Sequence, residues 1–408
     1  MKRKDPVKMT RRRMLQTGAG LAVAGTLTPN AEAQPAKSSI YEAIGVKHVI
    51  NATGTVTVLG GSVMPPEVVA AWVDASKHFV NLLDLHDKVG ERIAKLIGVE
   101  AALVTTGAAG ALLLGTAAAV TRGDPKRIAR LPDMAGMPNE VIVQKAHRTC
   151  YDNQLSDVGV MLVSVETVAD VSRAVNERTA LMFFMNYLEA DGQIKGAEWL
   201  ALASKHKVPT LLDAAADVPP VGRLSEYSRQ GFDLVAFSGG KALRGPNDTG
   251  LLLGRKDLID AAKKNTNPHC GTIGRMMKVS KEDMIALLAA VNRFVHLDHD
   301  AEWREYERRL DVIEKAVKEV PSVTCERVVP AIANHVPHLI VDWDSKRVKL
   351  TREELTKKLA AGDRPIQLGR MHGTGDKGVL ISVLTLQEGE ERIVAERIQH
   401  LLKAATGS

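Results

Sequence analysis

Leu234-Val235-Ala236-Phe237-Ser238-Gly239-Gly240-Lys241-Ala242-Leu243-Arg244-Gly245-Pro246 is the stretch on which the reading of this chain turns. Its first four apolar residues predict a buried strand. Two glycines follow, and without side chains they let the backbone approach a ligand closely. Lysine is seldom buried without a reason. Placed behind such a strand, burial disfavours its ammonium form and makes the amine a nucleophile. Taken alone, a lysine after a strand is usually an ordinary surface residue, and Lys241 gains its weight from the residues around it.

The segments around it repeat one pattern. Short apolar runs at 101–105, 140–144, 160–163, 181–185, 210–212 and 250–253 predict strands, and helical periodicity appears at 110–120, 168–175 and 198–206. Apolar strands alternating with helices predict an α/β fold with a large, mostly parallel sheet of the seven-stranded type, covered on both faces. Pro65-Pro66-Glu67 opens a helix, with proline where its missing N–H costs nothing. Residues 281–320 read as nearly continuous helix leading into a smaller C-terminal α/β domain, with strands at 334–342 and 379–383 and helices at 351–360 and 390–404. The expected division is 1–33 as a leader, 34–295 as the large domain and 296–408 as the small one.

In sheets of this kind, ligands gather at the carboxyl ends of strands, and the chemically capable residues fall there. Asp213 ends the strand 210–212; its alternative role is to cap a helix over Ala214–Ala216. Gly107-Ala108-Ala109 opens a helix directly after a strand, where free N–H groups and the positive helix end make an anion site. Ser238 adds a hydroxyl three residues before Lys241. His147 follows the strand 140–144 and reads either as a flat ring against a ligand or as a satisfied core histidine.

In the order anion loop, aromatic plane, aspartate, lysine, this set resembles the fold-type I pyridoxal-5′-phosphate (PLP) enzymes. It is more closely similar to the group containing bacterial selenocysteine synthase (seryl-tRNA(Sec) selenium transferase) and D-glucosaminate-6-phosphate ammonia-lyase. The likeness rests on Val49-Ile50-Asn51-Ala52-Thr53-Gly54, Thr105-Thr106-Gly107-Ala108-Ala109, Leu131-Pro132-Asp133, His147-Arg148, Asp213-Ala214-Ala215-Ala216 and the lysine segment through Thr249-Gly250.

The resemblance implies PLP as cofactor, Lys241 as its Schiff-base lysine and Asp213 as the partner of the pyridine nitrogen. Gly107, Ala108, Ala109 and Ser238 become phosphate contacts, and His147 the ring-stacking residue. A segment near Asn247–Thr249 is implied to reach the phosphate of a neighbouring subunit, so that the protein is a homo-oligomer. Arg148 is a candidate phosphate or substrate contact and Arg370 a candidate substrate contact, the latter because Pro365–Arg370 reads as a strand ending in a cation able to grip a carboxylate bidentately. The activity implied is that of a lyase on an amino acid or amino sugar acid, with aminotransferase or racemase as alternatives. A selenium-transferase-like partner of tRNA is a further alternative, which the lack of room for an extra N-terminal domain argues against.

Composition sets limits on the rest. The 408 residues are 45% hydrophobic and 25% charged, ordinary for a globular enzyme, with 4% aromatics. The net charge of +6 arises in the first thirteen residues, which hold seven Lys/Arg against one Asp. The remainder of the chain is close to neutral, without the basic stripe of a nucleic-acid binder. Cys150, Cys270 and Cys325 are too widely spaced for a metal or disulfide framework, so no metal site is expected. Arg11-Arg12, an apolar run from Thr17 to Leu27 and Ala31-Glu32-Ala33 form a signal-peptide pattern resembling the twin-arginine type, too short to anchor in a membrane. The expectation is export to the periplasm by the twin-arginine machinery, after folding and cofactor loading.

Overall fold

The computed structural model describes residues 39–369 and 378–406. The leader at 1–33 and Arg370 lie outside the described residues. The described residues 39–47 belong to a unit of their own. It contains the single-turn helix Ile40–Ala43, closed by a reciprocal capping box between Ser39 and Glu42.

From His48 onward the chain builds two sheet-based layers. The large sheet has seven strands in the spatial order β2 (Ala101–Thr106), β8 (Thr249–Gly254), β7 (Leu234–Ser238), β6 (Thr210–Asp213), β5 (Thr179–Met185), β3 (Glu140–Gln144) and β4 (Met161–Val165). Only β8 runs antiparallel to its neighbours. The carboxyl ends of the other six strands, and the start of β8, therefore share one edge.

Alternation along each strand splits the core in two. Val104, Ile142, Phe184, Leu212, Val235 and Leu251 face a core that includes helices Leu82–Ile97, Gly196–His206 and Lys281–His296. Leu103, Val141, Phe183, Leu211, Leu234 and Leu252 face the other core, with helices Gly107–Thr121 and Lys256–Lys264. Burial on both faces explains why these strands read as unbroken apolar runs. Gly107–Thr121 is apolar all round and fully buried from Gly110 onward, as a helix pressed between sheet and neighbours must be. Gly115 permits that closeness: a Cβ there would lie 3.3 Å from Leu211 of β6.

The smaller layer contains a three-stranded antiparallel sheet ordered β12 (Val379–Ser382), β10 (His338–Trp343), β9 (Val323–Val328). Helices His299–Lys318 and Glu390–Ala404 pack on it. Strand β1 (Ile50–Ala52) pairs in parallel with β11 (Ile366–Leu368), and Ile50 and Ala52 belong to the same core as Leu310, Val341 and Ile398. The start of this unit thus joins its C-terminal layer before the chain enters the large sheet. The helix expected to be nearly continuous over 281–320 is interrupted at Leu297–Asp298. Asp298 accepts from Ala301 N at 2.9 Å and so starts a new helix. The first half packs on the large sheet and the second on the small one.

Candidate active site

Three of the expected positions converge on the carboxyl edge of the large sheet, on neighbouring strands. Lys241 follows β7, Asp213 ends β6 next to it, and the Gly107 turn lies at the end of β2, beyond β8.

The two glycines before Lys241 are dictated by crowding. A Cβ at Gly239 would lie 2.1 Å from Thr249 Oγ1, and one at Gly240 would lie 2.3 Å from Asn247 Cα. The loop Gly245–Thr249 folds back under the lysine turn, with Gly239 N donating to Thr249 O at 2.8 Å and Arg244 N to Lys241 O at 2.9 Å. Ser62 Oγ donates to Gly240 O at 2.8 Å and ties the turn to the loop after β1.

Asp213 is buried at 6% exposure, and its Oδ1 accepts from Ala215 N at 2.9 Å. It thus closes a turn, and no helix follows it. Burial pushes its carboxyl above the ordinary carboxylate range, while the Ala215 N–H and the Lys241 cation pull it back. Burial lowers the proton affinity of the Lys241 amine, against the attraction of Asp213 and Asp217. The pair is therefore an amine that gives up its proton readily, facing a desolvated acid.

Helix Gly107–Thr121 begins at the same edge. Its N-cap, Thr106, gives no side-chain cap, so the first N–H groups are left for another acceptor. Gly107 takes φ 64°, with open space where a Cβ would stand. Gly250 crosses directly beneath it: a Cβ on Gly250 would be 2.2 Å from the Gly107 carbonyl carbon. Gly107, Ala108 and Ala109 thus turn the uncapped start of this helix to the carboxyl edge of the sheet, and Ser238 stands at the end of β7 two strands away.

Other expected positions fall elsewhere. His147 has no exposed surface; its ring meets Phe184 edge-on with centroids 4.5 Å apart, and its Nδ1 accepts from Met185 N at 3.3 Å. A Cβ on Gly192 would lie 2.6 Å from its Nε2. Burial lowers its pKa to about 4. The expected stacking face is covered by the core, and His147 is packed as a neutral core histidine. Thr249, expected to help reach a neighbour's cofactor, is buried under Gly239 of its own chain and donates to Pro246 O at 2.7 Å. Arg148 is held at the far side of the sheet by Asp152 and by Ser164 of β4, four strands from β7.

Two features were missed in the sequence. Asp217 is buried beside the site at 1% exposure, and its Oδ2 accepts from Asn186 Nδ2 at 2.6 Å and Tyr227 OH at 2.9 Å. Burial, reinforced by Asp213, raises its pKa to about 6. It sits in Asp213-Ala-Ala-Ala-Asp217, where a second acid four residues on was the available signal. The other feature is a cleft of about 470 Å³ into which Lys241 opens, lined also by Arg244, Arg293, Glu302, Tyr306, Arg309 and Thr385. Its walls come from both sheet layers, which sequence periodicity does not reveal.

Residues 49–336 match the SelA family, L-seryl-tRNA selenium transferase. The chain belongs to this family. Among relatives, D-glucosaminate-6-phosphate ammonia lyase of Salmonella typhimurium (strain 14028s / SGSC 2262) is 27% identical over 378 residues, covering 90% of this chain and 99% of the relative. The 5′-C-glycyluridine monooxygenase-decarboxylase of a Streptomyces species is 29% identical, covering 89% of this chain and 92% of the relative. A solved structure of D-glucosaminate-6-phosphate ammonia-lyase overlays this selenium-transferase family member with a TM-score of 0.79 at 26% identity, covering 90% and 99% of the two chains. A structure of SPT with PLP overlays with a TM-score of 0.54 at 14% identity, covering 88% of each, a likeness of fold. The fold is that of fold-type I PLP enzymes, and the relatives are enzymes.

Proposed function

We propose that this protein is a PLP-dependent lyase that acts on an amino acid or amino sugar acid and releases ammonia. The observation that carries the reading is Lys241 and Asp213 on adjacent strand ends, with burial acting on both, and the lysine opening into a polar cleft. The residues fit the cofactor. Lys241 would carry it, Asp213 would hold the proton of its ring nitrogen, and the N–H groups of Gly107 and Ala108 with the Ser238 hydroxyl would take its phosphate. When bound, PLP supplies an electron sink for charge developing next to the substrate nitrogen. Lys241, with its weakened hold on a proton, would serve as the base at the carbon bearing that nitrogen once the substrate amine has taken its place. Asp213 would stabilise the protonated ring nitrogen through a charge held in place before reaction. The ammonia lyase relative, similar over nearly its whole length, supports the choice of lyase.

The test is incubation of the purified, PLP-loaded protein with D- and L-amino acids and amino sugar acids. Ammonia and a keto acid released without an acceptor support the lyase. Dependence on a keto-acid acceptor would replace it with an aminotransferase, and inversion alone with a racemase.

A homo-oligomer is supported by exposed Val69, Trp72 and Val73, which share one face of the helix Pro66–Ser76, and by the exposed Phe79 and Val80 after it. Export by the twin-arginine route is supported by Arg11-Arg12 and the apolar run behind them. Replacing both arginines with lysine should leave the protein in the cytoplasmic fraction of a host that has this machinery; unchanged export would remove the assignment.

A further inference from the structure

The cleft at Lys241 is crossed by a cation whose contacts are weak. Arg244 follows the lysine by three residues and takes φ 58°, a left-handed conformation that residues with side chains seldom adopt. The turn from Lys241 O to Arg244 N fixes this geometry and ties the arginine backbone to the lysine. Its guanidinium reaches across to the other layer, but only to Glu302 Oε2 at 3.5 Å and Leu384 O at 3.4 Å. The other two arginines of the cleft are held more closely: Arg293 donates to Glu67 at 2.7 Å, and Arg309 to Glu305 at 2.8 Å.

The oxygens around it have a common character. Ser62 and Thr385 already donate their hydroxyl hydrogens, to Gly240 O at 2.8 Å and Asn51 O at 2.7 Å. Tyr306 donates to Glu302 Oε2 at 3.0 Å. With their hydrogens in use, these hydroxyls present lone pairs, and so favour a ligand rich in hydroxyl donors.

We propose that Arg244 is the residue that binds the carboxylate of a hydroxyl-rich acid in this cleft, exchanging Glu302 for it. This inference rests on the reading of the cleft as the substrate site, and it moves the carboxylate contact from Arg370 to the residue that shares a turn with Lys241. The fork of Arg244 gives up one long ion pair for two charge-assisted hydrogen bonds to the acid. Glu302 keeps its bond from Tyr306 when the exchange occurs.

Calorimetric titration with D-gluconate, which carries a carboxylate and hydroxyls but no amine, tests the site without turnover. D-Glucitol is its uncharged counterpart. The intact protein should bind gluconate at least about tenfold more tightly than glucitol, and Arg244→Gln should lose about tenfold or more of the gluconate affinity. Glu302→Gln retains an acceptor for Tyr306 while releasing Arg244, so it should bind gluconate several-fold more tightly, an effect that a purely structural role for Arg244 would not give. Arg244→Lys should recover part of the loss, and thermal midpoints identify any variant that fails to fold. Gluconate affinity unchanged in Arg244→Gln, no tightening in Glu302→Gln, or no preference for gluconate over glucitol overturns the proposal. Failure of Lys241 to take up PLP is a separate result: it would remove the cofactor reading and leave the gluconate titration intact.

Discussion

Tyr227 donates its hydroxyl hydrogen to Asp217 at 2.9 Å, on the same oxygen that Asn186 reaches at 2.6 Å. Two donors on one oxygen hold a buried acid that feels Asp213 and acts electrostatically on Lys241. Its pKa of about 6 lies above the ordinary carboxylate value. The stability this contributes is therefore present below the ordinary carboxylate range and lost as pH rises through about 6. Asp217→Asn keeps the shape without the charge. Wild type should lose about 3 kcal/mol relative to Asp217→Asn between pH 4 and 7 in denaturant titrations. Parallel pH profiles for the two proteins would refute the assignment.

Lys241 should be the residue that borohydride fixes to PLP. The loaded protein should be yellow, lose its visible band on reduction and carry the label on the Lys241 peptide, and Lys241→Ala should carry none. Asp213→Asn should keep the label but lose about 10²–10³-fold in turnover, since it removes a charge preorganised for the reaction. Normal labelling of Lys241→Ala would move the cofactor elsewhere.

Gly240→Ala tests the crowding beneath the lysine. The added Cβ meets the Asn247 backbone, at 2.3 Å from Cα and 2.8 Å from the carbonyl oxygen, and backbone has no rotamer by which to yield. A loss of about 1–3 kcal/mol in stability should accompany weaker PLP uptake. Unchanged melting and uptake would show that the loop Gly245–Thr249 moves freely.

His147 sets a pH dependence of the opposite sign. Its buried ring stays neutral down to about pH 4, whereas the unfolded chain takes up a proton near pH 6.5. The resulting stability is present above pH 6.5 and lost as pH falls toward 4. His86, also lowered to about 4, adds a slope in the same direction. The measurement is therefore a comparison: wild type should lose about 3 kcal/mol more than His147→Gln between pH 7 and pH 4. Equal losses would return His147 to an exposed, protonatable role.

Phe79 provides the test of self-association. Its side chain is fully exposed directly after a helix that shows Val69, Trp72 and Val73 to solvent. Sedimentation of the wild-type protein should give at least a dimer, and Phe79→Asp should shift it toward monomer. A wild-type monomer active at assay concentration would exclude the oligomer.

The large sheet was legible because strands buried on both faces leave continuous apolar runs, and Lys241, Asp213 and Gly107 were legible because they end those runs. Strand β9 was not: Val323-Thr-Cys-Glu-Arg-Val328 is an edge strand with one wet face, so no apolar run marks it. The stacking role expected of His147 depended on side-chain packing, which strand periodicity does not encode: Phe184 and Gly192 close over the ring. Asp217 and Arg244 owe their settings to residues distant in the chain, Tyr227 and Asn186 for one, Glu302 and Leu384 for the other. Such pairings are created by folding and have no local signature.

Ile50 lies opposite Ile366 in the parallel pair of β1 and β11. During synthesis, the first strand of this unit emerges long before its partner exists, and it waits without a ladder until nearly the whole polypeptide has been made. The C-terminal layer is therefore fastened by two separated stretches of chain, so completing it is among the last acts of folding. Truncation into β1, or loss of the segment around β11, should undo the same layer from opposite ends.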